Sequence, residues 1–181
     1  MMRLLLAAAG VALLACVALA QGDGPPAEPL PPGQRIDRLV VEKGNHRLLA
    51  YRNGALVREY PVGIGSGGLG PKRWEGDLHT PEGRYTIDRR HRSRAYLRFL
   101  HVSYPNREDR ARYRQLRADG VVPEGAGIGS AIGIHGQPQM APGLAGALGL
   151  NWTAGCIAVR DAAILDLYRA VVPDARLEIT P

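Results

Sequence analysis

Two short motifs in the C-terminal third carry the side chains best suited to covalent chemistry: Ile134-His135-Gly136 and Trp152-Thr153-Ala154-Gly155-Cys156-Ile157. A free thiol is only a few per cent thiolate at neutral pH, so a nucleophilic cysteine needs a base, a cation or a lowered pKa. His135 is the candidate base. Gly155 lets the backbone turn tightly and lets a carbonyl substrate approach main-chain N–H groups, that of Cys156 among them. One such oxyanion donor is worth about 3 kcal/mol, and a positioned base about a hundred- to ten-thousand-fold in rate. Together they describe acyl transfer through a thioester. The bland reading is a buried cysteine behaving as a small hydrophobe and a hydrogen-bonded core histidine.

The N-terminus decides between these readings. Arg3 precedes the apolar stretch Leu4 to Ala20, and Ala18-Leu19-Ala20 is a small-x-small cleavage pattern before Gln21, so residues 1–20 are predicted to be a secretory signal. A membrane anchor is the rival, but 17 residues sit at the lower limit for a span. Lipidation at Cys16 is a second rival, since Leu13-Leu14-Ala15-Cys16 loosely resembles a lipobox. Bulky Leu14 and the apolar residues after Cys16 argue against it. Either way the mature chain keeps Cys156 as its one unpaired thiol, in an oxidising compartment that would otherwise favour disulfides. The expected location is the periplasm, with no stable membrane span after cleavage.

Residues 21–34 contain five prolines between Gln21 and Gly33 and read as a disordered linker. Residues 35–181 are enough for one domain. The side-chain balance of +6 suits an anionic envelope surface or an acidic substrate, and nucleic acid is not the partner expected of an exported chain. Strands are predicted over Asp37 to Lys43, His46 to Arg52 and Ala55 to Val62, the last two joined by Asn53-Gly54, a type I′ hairpin signal. Gly63-x-Gly65-x-x-Gly68 superficially matches a dinucleotide loop, but Leu69-Gly70-Pro71-Lys72 follows where a helix would start, so Gly63 to Gly76 reads as a flexible loop bearing Lys72, Arg73 and Trp74. Further strands are predicted at Arg84 to Asp88, Arg98 to Ser103, Ala131 to His135 and Leu177 to Thr180. Helices are expected at Asn106 to Arg117 and at Asp161 to Val172, the second closed by Pro173. Met140 to Leu150 reads as loop or short helix. The class is mainly β with a few short helices. His79, His91 and His101 lack metal-ligand spacing, so neither a metal nor any other cofactor is expected.

The stretch from His135 to Cys156 resembles the signature of the L,D-transpeptidase catalytic domain, the YkuD family: His-Gly, a gap of mid-teens length, Ser/Thr-His-Gly-Cys, a hydrophobic residue, then Arg or Asn. Here sixteen residues, Gln137 to Trp152, separate His135-Gly136 from Thr153-Ala154-Gly155-Cys156-Ile157-Ala158. Glu75-Gly76-Asp77, Thr80-Pro81-Glu82-Gly83 and His101-Val102-Ser103-Tyr104-Pro105 also look like the family, and the likeness runs from about Arg35 to Thr180. Two positions depart, Ala154 for the usual His and Ala158 for the Arg or Asn. Trp-Thr-x-Gly-Cys-Ile-Ala-Val is similar to the branch of YafK-like murein proteins, some of which resemble hydrolases that release a lipoprotein from peptidoglycan.

The resemblance implies a β-sandwich or barrel-like core in which Cys156 is the nucleophile and His135 the base. It implies that Gly136 offers its carbonyl to the imidazole and that Thr153 and Gly155 shape the oxyanion pocket. The donor would be a peptidoglycan stem peptide, attacked at the carbonyl of the L-centre of meso-diaminopimelate, and an envelope lipoprotein is a possible further partner. Arg160, Trp152 and His101 are substrate-contact candidates. A murein amidase or hydrolase of the same fold is the nearest alternative, and a non-catalytic peptidoglycan-binding module comes from a different class.

Overall fold

The computed structural model describes residues 28–139 and 151–181. The expected signal (1–20) with Cys16, residues 21–27 of the linker and Met140 to Leu150 lie outside the described residues. Ten strands and two helices follow in the order β1 (Ile36–Glu42), β2 (Arg47–Arg52), β3 (Ala55–Pro61), β4 (Ile64–Gly65), β5 (Gly83–Ser93), β6 (Leu97–Val102), α1 (Arg107–Ala118), β7 (Gly133–His135), β8 (Asn151–Thr153), β9 (Ile157–Ala158), α2 (Asp161–Ala170) and β10 (Val171–Thr180). Eight strands form one sheet in the order β3-β2-β1-β10-β5-β6-β7-β9, and β4 pairs with β8 in a small second sheet. The fold is mainly β, as expected.

The opening meander follows from alternation and turn chemistry. Ile36, Leu39 and Val41 are fully buried, and Asn53 and Gly54 both take positive φ, 50° and 83°, as a type I′ turn requires. α1 starts at a capping box: Asn106 accepts from the Glu108 and Asp109 N–H groups while Asp109 accepts from the Asn106 N–H. α2 buries Ala163, Ile164, Leu167 and Ala170, a stripe at helical spacing that packs across β6.

Three expectations are corrected. Pro173 does not close a helix: α2 ends at Ala170, where β-branched Val171 and Val172 turn extended, and Pro173 lies inside β10. The proline is tolerated because pairing with β1 jumps from Ile36↔Val171 to Arg38↔Arg176, leaving it in an excursion where no ladder donor is needed. β5 runs past Asp88 to Ser93, its polar end pairing with β6. The linker is not free at its C-terminal end, since Leu30 is buried and its N–H donates to Asp166 at 3.1 Å.

The sheet edge that carries the site depends on Gly133. β7 pairs antiparallel with β6, His135 opposite Phe99 and Gly133 opposite His101. A Cβ at Gly133 would lie 2.2 Å from Phe99 Cε1 and 2.7 Å from the Leu100 carbonyl oxygen, so the Phe99 ring occupies the space a side chain would need. Gly133→Ala is expected to lower unfolding stability by about 1–3 kcal/mol through overpacking, read as a reduced denaturant midpoint in chemical unfolding.

Candidate active site

β7 also pairs with β9, in parallel, with Ile134 opposite Ile157 and His135 opposite Ala158. Facing residues share a side of the sheet, so one step back places Cys156 beside Gly133, on the His135 side and one two-residue step, about 6.6 Å, along the strands. The structure thus brings the two motifs to one sheet edge.

The turn before Cys156 is held by its own residues. Thr153 is buried; its hydroxyl donates to the Cys156 carbonyl at 2.7 Å and accepts from the Gly155 N–H at 3.1 Å. Thr80 Oγ1 also reaches the Cys156 carbonyl, at 3.4 Å, and the Ser66 N–H donates to the Thr153 carbonyl at 2.8 Å. Gly155 has φ 126°, and a Cβ there would stand 2.8 Å from the His79 carbonyl oxygen. No other residue meets both conditions. The Gly155 N–H is engaged by Thr153, so this glycine's part is to shape the turn.

His135 is buried. Its Nδ1 lies 2.7 Å from the Gly136 carbonyl oxygen; an oxygen can only accept, so Nδ1 carries the proton and Nε2 the lone pair. Gly136 is itself fixed: its N–H donates to the Tyr96 carbonyl at 3.1 Å, and a Cβ would meet Asp161 Oδ1 at 2.6 Å. The imidazole is enclosed by Tyr96, Phe99 and Trp152, with ring centroids at 4.1, 6.1 and 6.0 Å. Two buried polar atoms, Gln137 Oε1 and Trp152 Nε1, have no hydrogen-bond partner among the described residues.

Burial pushes the His135 pKa below the ordinary histidine range, with the Gly136 bond opposing. Burial pushes the Cys156 thiol up, against the Gly133 N–H and the Lys72 ammonium, which pull it down. Both shifts favour the uncharged form. Burial thus favours a thiol at Cys156 and a neutral imidazole at His135.

The remaining candidates are placed differently. Trp152 walls the imidazole. His101 is engaged at both ring nitrogens, Nδ1 2.6 Å from Asp88 Oδ1 and Nε2 3.2 Å from Arg89, with Phe99 between it and His135. Arg160 occupies the N-cap position of α2, in extended backbone, and is exposed, whereas Ala158 is fully buried. Lys72, expected on a flexible loop, is buried and paired with Asp77 at 2.7 Å. Tyr96, Phe99 and Gln137 were not legible beforehand; only the β6–β7 register places Phe99 over His135. Among the described residues no group of three or more His, Cys, Asp or Glu side chains could hold a metal ion, and no helix is long and apolar enough to cross a membrane.

The sequence profile of the L,D-transpeptidase catalytic domain, YkuD, matches residues 36–179. The chain belongs to that family. Escherichia coli K12 YafK is 38% identical over 58 residues, which is 31% of this chain and 24% of YafK. Bdellovibrio bacteriovorus Bd1075 superposes with a TM-score of 0.54 at 25% identity, covering 81% of this chain and 48% of that one. The helical cell shape determining protein Pgp2 of Campylobacter jejuni gives 0.57 at 22% identity, covering 81% and 48%. L,D-transpeptidase 3 of Mycobacterium tuberculosis gives 0.51 at 16% identity, covering 80% and 60%. The chain thus spans about half the length of Bd1075 and Pgp2.

Because burial raises the Cys156 thiol pKa, iodoacetamide alkylation of Cys156 is expected to rise with pH through a single apparent pKa above the ordinary cysteine range. A reactive plateau between about pH 5 and 7 would instead reveal a preformed thiolate–imidazolium pair. Mass spectrometry of the alkylated protein across a pH series reads the difference.

Proposed function

We propose that the protein is an exported L,D-transpeptidase acting on peptidoglycan stem peptides through a Cys156 acyl-enzyme. The observation that carries this reading is the His135 imidazole, tethered at Nδ1 and set one step from Cys156 in a domain of this family. In the first half-reaction His135 Nε2 takes the thiol proton as sulfur attacks the carbonyl of the L-centre of meso-diaminopimelate. The Cys156 N–H stabilises the oxyanion. Collapse breaks the C–N bond, leaves a C–S thioester, and returns the proton from His135 to the departing amine. In the second half an acceptor amine, deprotonated by His135, displaces sulfur and restores the thiol.

The apolar stretch 4–20 and its cleavage pattern support periplasmic export.

Purified domain incubated with tetrapeptide muropeptides is expected to give 3→3 crosslinked dimers and a thioester on Cys156 by mass spectrometry. Cys156→Ala abolishes both, and His135→Ala slows turnover about a hundred- to ten-thousand-fold. Shortened or released peptides would assign the protein to the hydrolases instead, and binding without cysteine-dependent turnover to the non-catalytic modules. The M. tuberculosis relative was crystallised with a faropenem-derived adduct. The same penem is expected to add covalently to Cys156, and unchanged protein mass after long incubation would count against a competent site.

A further inference from the structure

We infer that Arg90, Arg92 and Arg98, gathered beside Tyr168 on the side of the sheet away from His135, form a binding site for a phosphate group. The site stands apart from the acyl-transfer reading and does not depend on it. In the β5–β6 ladder Arg90 lies opposite Leu100, His91 opposite Phe99 and Arg92 opposite Arg98. Successive residues point to opposite faces. His91 and Phe99 therefore share the His135 side, while Arg90, Arg92 and Arg98 share the other side with buried Leu100. The guanidinium carbons of Arg90 and Arg98 stand 5.5 and 5.4 Å from the centre of the Tyr168 ring, so two of the three converge on one side chain. Arg92 faces Arg98 across the ladder, where directly opposed side chains have Cβ atoms about 5 Å apart.

No carboxylate among the described residues balances this charge. Asp88 is the one acid between Gly83 and Leu100, and it is taken by His101 at 2.6 Å; on α2, Asp166 is shared by Arg58 and Arg169. Like charges opposed on a ladder are destabilising, and a carboxylate at position 92 or 98 would have made a favourable pair instead. The arginines are nonetheless held in place. Arg90 Nη1 donates to the Tyr168 and Val171 carbonyls at 2.8 and 3.3 Å, and Arg98 Nη1 to the Leu97 carbonyl at 2.8 Å. A guanidinium has five N–H donors, so most remain for a ligand, and Arg90 and Arg92 are exposed to receive one. A single arginine fork fills a carboxylate, whereas a phosphate presents further oxygens that several forks can share. Beside Arg90 a cleft lined in part by Ile87, Val171, Val172 and Pro173 opens, beyond the Gly83 to Thr86 stretch where β5 pairs with β10. That cleft gives the apolar part of a phosphate ester a seat.

Isothermal titration of the purified protein with inorganic phosphate is expected to show saturable binding, and phosphate to raise the thermal unfolding midpoint. Arg92→Gln, at an exposed position outside the catalytic machinery, is expected to weaken binding about tenfold or more. Arg114→Gln, which removes the same charge from an exposed position on α1, is expected to leave it unchanged. Co-sedimentation with vesicles of equal parts phosphatidylglycerol and phosphatidylcholine separates the two sources of phosphate. Capture that Arg92→Gln loses and Arg114→Gln keeps assigns the group to a lipid headgroup; titration binding with the same ranking and no capture assigns it to a soluble phosphate, and either supports the site. Equal weakening in the two variants would show diffuse attraction to a basic surface and overturn the inference, as would wild-type protein that binds neither phosphate nor vesicles. None of these readouts involves Cys156, so they stay separate from muropeptide turnover.

Discussion

One register, β7 parallel to β9 with Ile134 opposite Ile157, is the constraint on which the site depends. It sets two distant stretches of chain side by side, and a slip of one residue would turn His135 or Cys156 to the other face. The register is defended from both sides. Ile134 and Ile157 are fully buried, so a slip would expose or strand two large apolar groups, each worth about 1.5–3 kcal/mol. Gly133 gives its side-chain space to Phe99, and Gly155 turns the chain where a Cβ would strike the His79 carbonyl.

The loop between β4 and β5 reaches the same corner by different means. It has little apolar content and is held by two buried ion pairs, Lys72–Asp77 and Lys43–Glu82, each at a closest approach of 2.7 or 2.8 Å. Lys43 is fully buried and also donates to the Gly70 and Thr80 carbonyls at 2.5 and 3.0 Å. Burying charge is costly unless partners and hydrogen bonds replace the lost water. Here both lysines meet carboxylates that backbone N–H groups also serve, Asp77 through Arg73, Trp74 and His79 and Glu82 through Gly70. Glycines free of side-chain bulk and internal salt bridges thus do what hydrophobic packing does elsewhere in the sheet.

Legibility in the sequence follows the range of the forces involved. The meander, α1 and the two motifs are local: alternation, an Asn-Gly turn, an N-cap asparagine and a His-Gly to Gly-Cys spacing can all be read within a few residues. Cys156 and His135 were legible as candidates because a thiol and an imidazole in two motifs at that spacing suit acyl transfer. What escaped is long-range. The aromatic enclosure of His135 exists only once β6 lies beside β7. Lys72 looked like a surface loop residue because nothing in Lys72-Arg73-Trp74-Glu75-Gly76-Asp77 announces that residues 72 and 77 are buried together. Pro173 read as a stop because the excursion that tolerates it belongs to the pairing with β1, and Leu30 read as tether because its partner Asp166 lies 136 residues away.

β10 has a consequence for how such a chain is made. It lies between β1 and β5, parallel to one and antiparallel to the other, yet of the ten strands it comes last. Until residues 171–180 arrive, the main sheet is in two parts, β3-β2-β1 and β5-β6-β7-β9, each with a bare edge of unpaired N–H and C=O groups. Neither half can close the sheet early, so completion waits for nearly the whole domain.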